Sequence, residues 1–389
     1  MHSKPLRKTV PRTTFRSWEP APDRKDPVEL IHEAERGRIP ALLALRKERM
    51  SANAFGFYRG NAAVMAADLA EIPVTGMRVQ LAGDAHLMNF GGYATPERNL
   101  VFDANDFDET LNGPWEWDIA RLCASLPLAA TYRDFSKRCG EEAAYAAAAG
   151  YRARMRALAR RSPMDIWYSR VDVRGMLRIE LTPPRDATGV KPTPENEKIA
   201  HGALARYRAS LPIHVRTLLD RYHVVEAFEH PVGVGSLGLL TMIVHFEAEE
   251  GQNLYLQFKG AVASCLEPYL EKSPYENHGE RVVVGQHLMQ AATDVFLGWT
   301  IEGGVHLYVR QLRDEKASLD IDNISSDQLI DYAARCGAVL ARAHARTGDP
   351  QGIAEYLGSR TVFEKSFTEF ALAYAAQVEK DYEAFLKRT

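Results

Sequence analysis

The sequence of 389 residues lacks a hydrophobic run long enough to cross a bilayer. Its most apolar stretch, residues 237–246, is far shorter than the roughly 20 residues that a transmembrane helix needs, and it contains Thr241 and His245. The basic start of the chain is not followed by an apolar segment, so no secretory signal peptide is predicted. We therefore expect a cytoplasmic protein without a membrane partner.

Cysteine is scarce, and neither sign of charge dominates. The four cysteines are Cys123, Cys139, Cys265 and Cys336. They lie too far apart for a metal-binding pattern, and reduced thiols fit a cytoplasmic location. The 48 basic and 51 acidic residues give a net charge of −3, which gives no reason to expect a nucleic-acid partner. Basic residues cluster only near the start, and residues 1–26 are predicted to form an extended basic N-terminal arm.

Hydrophobic periodicity indicates an α+β protein with two lobes. Apolar residues recur at helical spacing over much of the chain, and the chain is long enough for two cores. Between residues 223 and 315 short apolar runs are joined by turns, which predicts a small antiparallel sheet. The predicted units are a helical lobe with two functional loops at 27–222, a sheet lobe at 223–315, and further helices of the helical lobe at 316–389.

Polar residues are concentrated in two loops of the first third of the chain. They are Asp84, His86, Asn89, Asp103, Asn105, Asp106 and Asp108. Asp84 precedes Asn89 by five residues, and Asp103 follows fourteen residues later. An aspartate can orient or deprotonate a hydroxyl group, while asparagine and aspartate oxygens bind Mg²⁺. Loop and cap residues are the plain alternative, but so many acids side by side would repel one another without a cation.

The sheet region carries a glycine-rich turn and a lysine. The turn contains Gly233, Gly235, Ser236 and Gly238, and Lys259 lies on a later strand. The residues after Gly238 are strand formers, which favours a glycine hairpin over nucleotide phosphates with a lysine beneath it. Such glycine patterns also occur in structural turns and in dinucleotide-binding folds, where a helix would follow. Glu267 and Glu280 are the candidates for an acidic partner of Lys259.

Two further segments complete the prediction. Asp118 lies early in a helix, where it either complements the helix dipole or holds the loop at Asp84 in place. Val305 to Gln311 is predicted as the strand that leads to a hinge between the lobes. Arg46, Arg49, Phe57 and Arg59 precede the Asp84 loop closely, so they either face the cleft or lie on a solvated helix face.

Several of these motifs resemble known families. Asp84-x-His86-x-x-Asn89 resembles the catalytic loop of aminoglycoside and choline kinase-like phosphotransferases, and residues 101–103 resemble their metal-binding strand end. Over nearly the whole chain the sequence more closely resembles an uncharacterised bacterial family, domain of unknown function 2252. The kinase resemblance implies a protein-kinase-like fold in which the catalytic loop (83–108) precedes the nucleotide lobe (224–345), so we expect a circular permutation.

The sequence therefore predicts an ATP- and Mg²⁺-dependent phosphotransferase acting on a hydroxyl of a small molecule or protein. Asp84, His86 and Asp118 are the catalytic candidates. Asn89, Asp103 and Asp106 are the metal candidates. Gly233, Gly235, Ser236, Gly238, Lys259 and Glu280 are the nucleotide-binding candidates. The alternatives are transfer of AMP by the same residues, a nucleotide-binding pseudokinase acting through a partner, and a dinucleotide-dependent oxidoreductase.

Overall fold

The computed structural model describes residues 3–171, 191–230, 237–249, 251–312 and 317–388. The helices in these ranges are α1 (Ser3–Thr9), α2 (Pro27–Ala34), α3 (Pro40–Ser51), α4 (Ala54–Gly60), α5 (Ala62–Ala70), α6 (Trp115–Tyr132), α7 (Lys137–Leu158), α8 (Pro163–Trp167), α9 (Pro194–Ser210), α10 (Ile213–Leu219), α11 (His278–Met289), α12 (Ser326–Thr347), α13 (Pro350–Leu357) and α14 (Val362–Arg388). Each of these described helices is too short or too polar to span a bilayer.

The strands are short and pair antiparallel, so the predicted α+β class is confirmed. They are β1 (Arg78–Leu81), β2 (Phe90–Ala94), β3 (Leu100–Ala104), β4 (Leu111–Pro114), β5 (His223–Glu229), β6 (Thr241–Glu247), β7 (Asn253–Gly260), β8 (Gly298–Glu302), β9 (Val305–Gln311) and β10 (Ala317–Ser318). Five of them form a sheet in the order β5-β6-β7-β9-β8, while β1 pairs with β4, and β2 lies between β10 and β3.

The larger hydrophobic core lies among helices α6, α7, α12 and α14. Helices α7 and α12 approach closely because both present small residues. A side chain on Gly337 would lie 1.9 Å from the carbonyl oxygen of Ala147, and one on Gly150 would lie 2.1 Å from that of Ala334. The alanine-rich sequence of α7 is therefore explained by packing at short range between two backbones.

A second core lies on one face of the five-stranded sheet. Helices α9 and α10 cover that face with Tyr207 and Val215, which pack against strand residues such as Leu256 and Phe258. The sheet lobe therefore begins at α9, well before the predicted boundary at residue 223. Because side chains alternate along a strand, Lys259 lies on the opposite face, and the register places it between Thr241 and Tyr308.

The N-terminal segment is not the extended arm that its composition suggested. It begins with the helix α1 and then packs along α14 through aromatic rings. The ring of Phe15 stacks on Phe367 at 4.6 Å, and that of Trp18 lies 4.8 Å from Tyr374. Burying these rings stabilises the docked segment. The prediction from charge alone missed this contribution.

Candidate functional site

The loop that carries Asp84 is held from below by Asp118 of α6. The carboxylate of Asp118 accepts hydrogen bonds from the backbone nitrogens of Ala82 and Gly83, at 2.7 and 3.0 Å. His344 at the end of α12 lies 3.1 Å from the same carboxylate through Nε2. Gly83 has φ of +85°, and a side chain there would lie 2.2 Å from the carbonyl oxygen of Glu109. The buried carboxylate of Asp118 thus fixes the backbone conformation of this loop.

Asp84 projects from this loop towards a buried arginine. Arg121, one helical turn after Asp118, donates from Nε to Asp84 at 2.8 Å, and its guanidinium lies 3.8 Å from the ring centre of Tyr58. Burial raises the pKa of the Asp84 carboxyl, and Arg121 opposes that shift. A carboxylate with a raised pKa is suited to accept a proton from a hydroxyl group.

His86 accompanies Asp84 as a neutral side chain. Burial and the nearby arginines Arg59 and Arg121 hold the pKa of His86 well below its ordinary value. Its Nδ1 accepts a hydrogen bond from the backbone nitrogen of Met88 at 3.2 Å, so its proton is on Nε2. That nitrogen lies 3.8 Å from the Asp84 carboxylate. His86 therefore presents an N–H group towards Asp84 without adding charge.

Asn89 is oriented by the same loop. Its side-chain nitrogen donates to the carbonyl oxygen of Asp84 at 2.8 Å, so its side-chain oxygen points away as an acceptor. The backbone carbonyl of Asn89 accepts from the backbone nitrogen of Asn105 at 3.0 Å. This bond continues the β2–β3 pairing and brings Asn89 beside the segment that carries Asp106.

Lys259 of the sheet lobe reaches this acidic segment. It forms an ion pair with Asp108, whose other oxygen accepts from the Tyr308 hydroxyl at 2.8 Å. The lysine lowers the pKa of Asp108 against its burial. The described residues give Asp106 no such ion-pair partner, and burial together with the neighbouring Asp108 raises its pKa to about 6. Lys259 and Asp108 are 151 residues apart in the sequence. Two distant segments thus meet in one cluster of acidic and basic side chains.

Asp103 lies apart from this cluster. Its carboxylate is buried and forms an ion pair with Arg342 of α12, and it accepts from the backbone nitrogen of Ala291 at 2.8 Å and from that of Ala104 at 2.9 Å. These contacts occupy both of its oxygens. Asp103 therefore ties β3 to α12. Of the three predicted metal ligands, Asp103 is the one whose carboxylate is occupied by other groups, whereas Asp106 remains a candidate.

The helix α11 contributes an arginine where the sequence suggested a glutamate. Among the described residues, the acidic ion-pair partner of Lys259 is Asp108, and neither Glu280 nor Glu267 pairs with it. Arg281, the residue after Glu280, is buried and donates to the backbone carbonyls of Asp108, Thr110 and Val262 at 2.7–2.8 Å. Helix α11 is thus fixed to the acidic loop through backbone contacts.

The glycine-rich turn is described only at its end. Gly233, Gly235 and Ser236 lie outside the described residues. Gly238 has φ of +104°, and a side chain on it would lie 2.9 Å from Cβ of Arg38. Its carbonyl oxygen accepts from the backbone nitrogen of Ile39 at 2.8 Å. Strand β6 follows Gly238, so the helix that the dinucleotide-binding alternative requires at this point is not formed.

A small cavity of about 40 Å³ joins these elements. Its lining includes Asp84, Asp106 and Asp108 from the first third of the chain, and Leu239 and Gly260 from the sheet lobe. The lining also includes Arg38 before α3, Arg46 of α3 and Arg59 of α4. The two lobes therefore meet at Asp84 and the acidic segment.

Asp106 at this cavity and Asn89, whose backbone pairs with the neighbouring Asn105, carry side-chain oxygens that suit a hard divalent cation. Within the described ranges, no three His, Cys, Asp or Glu side chains converge as metal ligands. Mg²⁺, however, is usually held by one or two protein carboxylates together with waters and substrate phosphates. The described residues supply no donor to the side-chain oxygen of Asn89 or to the second oxygen of Asp106. A cation would also stabilise the charged form of Asp106, which burial disfavours.

Three residues of the site were missed by sequence reasoning. They are Asp108, Arg121 and Arg281. A signal existed for Asp108, because it belongs to the acidic run, and for Arg121, because it lies one turn after Asp118 on the same helix face. No local signal marks Arg281, since its partners are backbone carbonyls of distant loops.

The chain was compared with known proteins. The model of a family described as an uncharacterised protein conserved in bacteria, DUF2252, matches residues 38–191 and 175–388. No curated protein and no solved structure matches the chain.

Proposed function

The chain belongs to the DUF2252 family of uncharacterised bacterial proteins, and we propose that it is an ATP- and Mg²⁺-dependent phosphotransferase acting on a hydroxyl group. The observation that carries this proposal is the ion pair between Lys259 and Asp108. This pair joins the lysine of the sheet lobe to the acidic segment, whose Asp106 and Asp108 line one cavity with Asp84. Phosphoryl transfer needs mainly positioning and charge neutralisation, which such a cluster supplies.

The order of elements in the sheet lobe supports a protein-kinase-like arrangement. Strands β5 and β6 pair antiparallel, and the glycine-rich segment of the sequence lies between them. Lys259 lies on the next strand β7, and α11 follows before β8 and β9. The end of α12 lies beside β1, where the hydroxyl of Thr347 accepts from the backbone nitrogen of Gln80 at 2.9 Å. Helix α12 thus leads spatially into the Asp84 loop, as a circular permutation of a kinase-like chain requires.

Each residue has a chemical role in the proposed reaction. The acceptor oxygen attacks the γ-phosphorus, the bond from phosphorus to the leaving ADP oxygen breaks, and Asp84 takes the proton of the hydroxyl. Lys259 binds phosphate oxygens, and Asn89 and Asp106 would hold Mg²⁺, which neutralises phosphate charge when bound. Because nucleotide sites are several hundred Å³ in volume, we expect the lobes to separate when ATP enters.

The test is turnover of Mg²⁺-ATP by the full chain with a panel of hydroxyl compounds, followed by mass spectrometry. We expect ADP as product and an acceptor heavier by about 80 Da; a gain of about 329 Da would indicate AMP transfer instead. Asp84→Asn removes the proton acceptor and is expected to lower the rate by about 10²–10⁴-fold. Asp331→Asn, at an exposed carboxylate, is the matched control.

Two results would contradict the proposal. Turnover that is equal in the Asp84→Asn and Asp331→Asn variants would remove Asp84 from the chemistry. Tight nucleotide binding without turnover, across metals and acceptors, would favour the pseudokinase alternative.

A further inference from the structure

We infer that the acceptor carries an oxyanion, a carboxylate or a phosphate, which binds to Arg59 and Asn61 beside Asp84. This inference rests on the proposed phosphotransferase function and names the chemical class of its acceptor. Both residues line the cavity that also contains Asp84. They lie at the end of α4 and directly after it, on the helical side of the cleft.

Asn61 is a buried donor without an acceptor. The residue is 1% exposed, and its side-chain oxygen accepts from Nη1 of Arg121 at 3.2 Å. That bond fixes the amide, and within the described part of the chain its nitrogen has no partner. A buried amide N–H group without an acceptor destabilises the folded protein, so a ligand oxygen at this position would stabilise the site.

Arg59 is a cation of the cavity that no described carboxylate pairs with. Its buried Nε has no hydrogen-bond partner among the described residues. Arg46, by contrast, lies 3.2 Å from a carboxylate oxygen of Glu35 and donates to the carbonyl of Gly60 at 2.6 Å. Arg38 donates to the carbonyl of Leu237 at 2.6 Å. Of these three arginines, Arg59 is therefore the one for which an anionic ligand would supply a missing partner.

Three of the four acids that line the cavity, Asp84, Asp108 and Glu109, are already engaged by other groups. Asp84 is bound by Arg121, Asp108 by Lys259, and Glu109 accepts from the backbone nitrogen of Cys265 at 2.7 Å. An anionic acceptor at Arg59 thus meets a neutralised Asp84 rather than a bare negative charge. Guanidinium groups suit carboxylates and phosphates because their N–H groups form a planar fork.

Position separates this subsite from the one for the donor phosphates. Arg59 lines the cavity together with Asp84, while Lys259 pairs with Asp108 and Arg310 donates to the backbone carbonyl of Asn105 at 3.4 Å. Lys259 and Arg310 are thus engaged by the acidic segment, whereas Arg59 forms no ion pair with it among the described residues. The free volume of about 40 Å³ accommodates a small group such as an oxyanion.

The test compares glycerol, glycerate and glycerol 3-phosphate as ligands of the full chain by titration calorimetry without nucleotide. We expect both anions to bind at least about tenfold more tightly than glycerol. Arg59→Met and Asn61→Asp should each abolish that preference, since the aspartate keeps an oxygen for Arg121 but replaces the N–H donor by a charge. Arg59→Lys should retain part of it. Arg138→Met, at an exposed arginine, is the control.

The outcomes separate the two proposals. Equal binding of the three compounds, or unchanged anion binding in Arg59→Met, would overturn the anion subsite. Weaker binding of an ATP analogue in Arg59→Met, with glycerate binding unchanged, would assign Arg59 to the donor and also overturn it. Binding of anions that depends on Arg59, together with absent ATP turnover, would retain the subsite and remove the phosphotransferase. ATP turnover at equal rates with charged and uncharged acceptors would retain the phosphotransferase and overturn the anion subsite.

Discussion

Replacing Asp106 by asparagine should stabilise the protein at neutral pH. Its pKa is raised from 3.8 to about 6 by burial and by Asp108, so the ionised form is disfavoured in the folded state. The unfolded chain releases this proton at lower pH, and stability therefore falls as pH rises between about 4 and 6. At about 1.4 kcal/mol per pKa unit, the ionised carboxylate costs ~3 kcal/mol at pH 7.5 and about half of that at pH 5.

The assay is urea unfolding of the wild type, Asp106→Asn and the exposed control Asp331→Asn at both pH values. Asparagine retains an oxygen for the hydrogen bond from the Asp108 nitrogen, which is 3.1 Å long in the native protein. We expect Asp106→Asn to raise the free energy of unfolding at pH 7.5 by up to ~3 kcal/mol, and by less at pH 5. Asp331→Asn should have little effect at either pH.

Magnesium extends this prediction to the proposed metal site. A cation that binds only the folded state adds RT ln(1 + [Mg²⁺]/Kd), about 1.4 kcal/mol at ten times Kd. The wild type should gain this stability at pH 7.5, and Asp106→Asn should not. If Asp106→Asn is less stable than the wild type at pH 7.5, the predicted cost of the ionised Asp106 is wrong. If Mg²⁺ stabilises both proteins equally, Asp106 does not hold the cation.

Two further substitutions probe the parts that hold the site. Gly238→Ala adds a side chain at positive φ and 2.9 Å from Cβ of Arg38, and we expect a loss of more than ~1 kcal/mol in urea unfolding. Gly304→Ala, at φ of +80° with nothing within 4 Å, isolates the conformational cost, and an equal loss in both variants would show that the contact with Arg38 is unimportant. Asp118→Asn keeps an oxygen for one of the backbone nitrogens of Ala82 and Gly83 but places an NH2 group against the other; we expect a loss of ~2–4 kcal/mol in unfolding, and unchanged stability would contradict the role of Asp118.

Local patterns in the sequence predicted the small antiparallel sheet, with the strand of Lys259 and the strand at Val305 to Gln311, and the loop around Asp84. They did not predict strand β8. The alternation of apolar and polar residues predicts that Lys259 lies on a strand next to β6. This prediction is confirmed, because side-chain alternation depends only on local strand geometry. The choice among Asp103, Asp106 and Asp108 could not be made in the same way. Strand β3 ends at Ala104, so alternation no longer determines where the later side chains point.

Long-range packing explains the other differences from prediction. Helices α9 and α10 have no local feature that assigns them to the sheet, because their apolar residues would suit either lobe. The docking of Phe15 and Trp18 on α14 likewise depends on contacts across more than 350 residues. Arg281 binds backbone carbonyls, which any sequence provides.

The central claim is that the acidic segment and the lysine strand form a single nucleotide site. The most direct measurement is Mg²⁺-dependent binding of a non-hydrolysable ATP analogue to the wild type, Asp106→Asn, Lys259→Met and the double variant. We expect each single variant to bind the analogue more weakly. We expect the double variant to lose less binding free energy than the sum of the two single losses. Losses that simply add, or analogue binding that neither variant changes, would contradict the central claim.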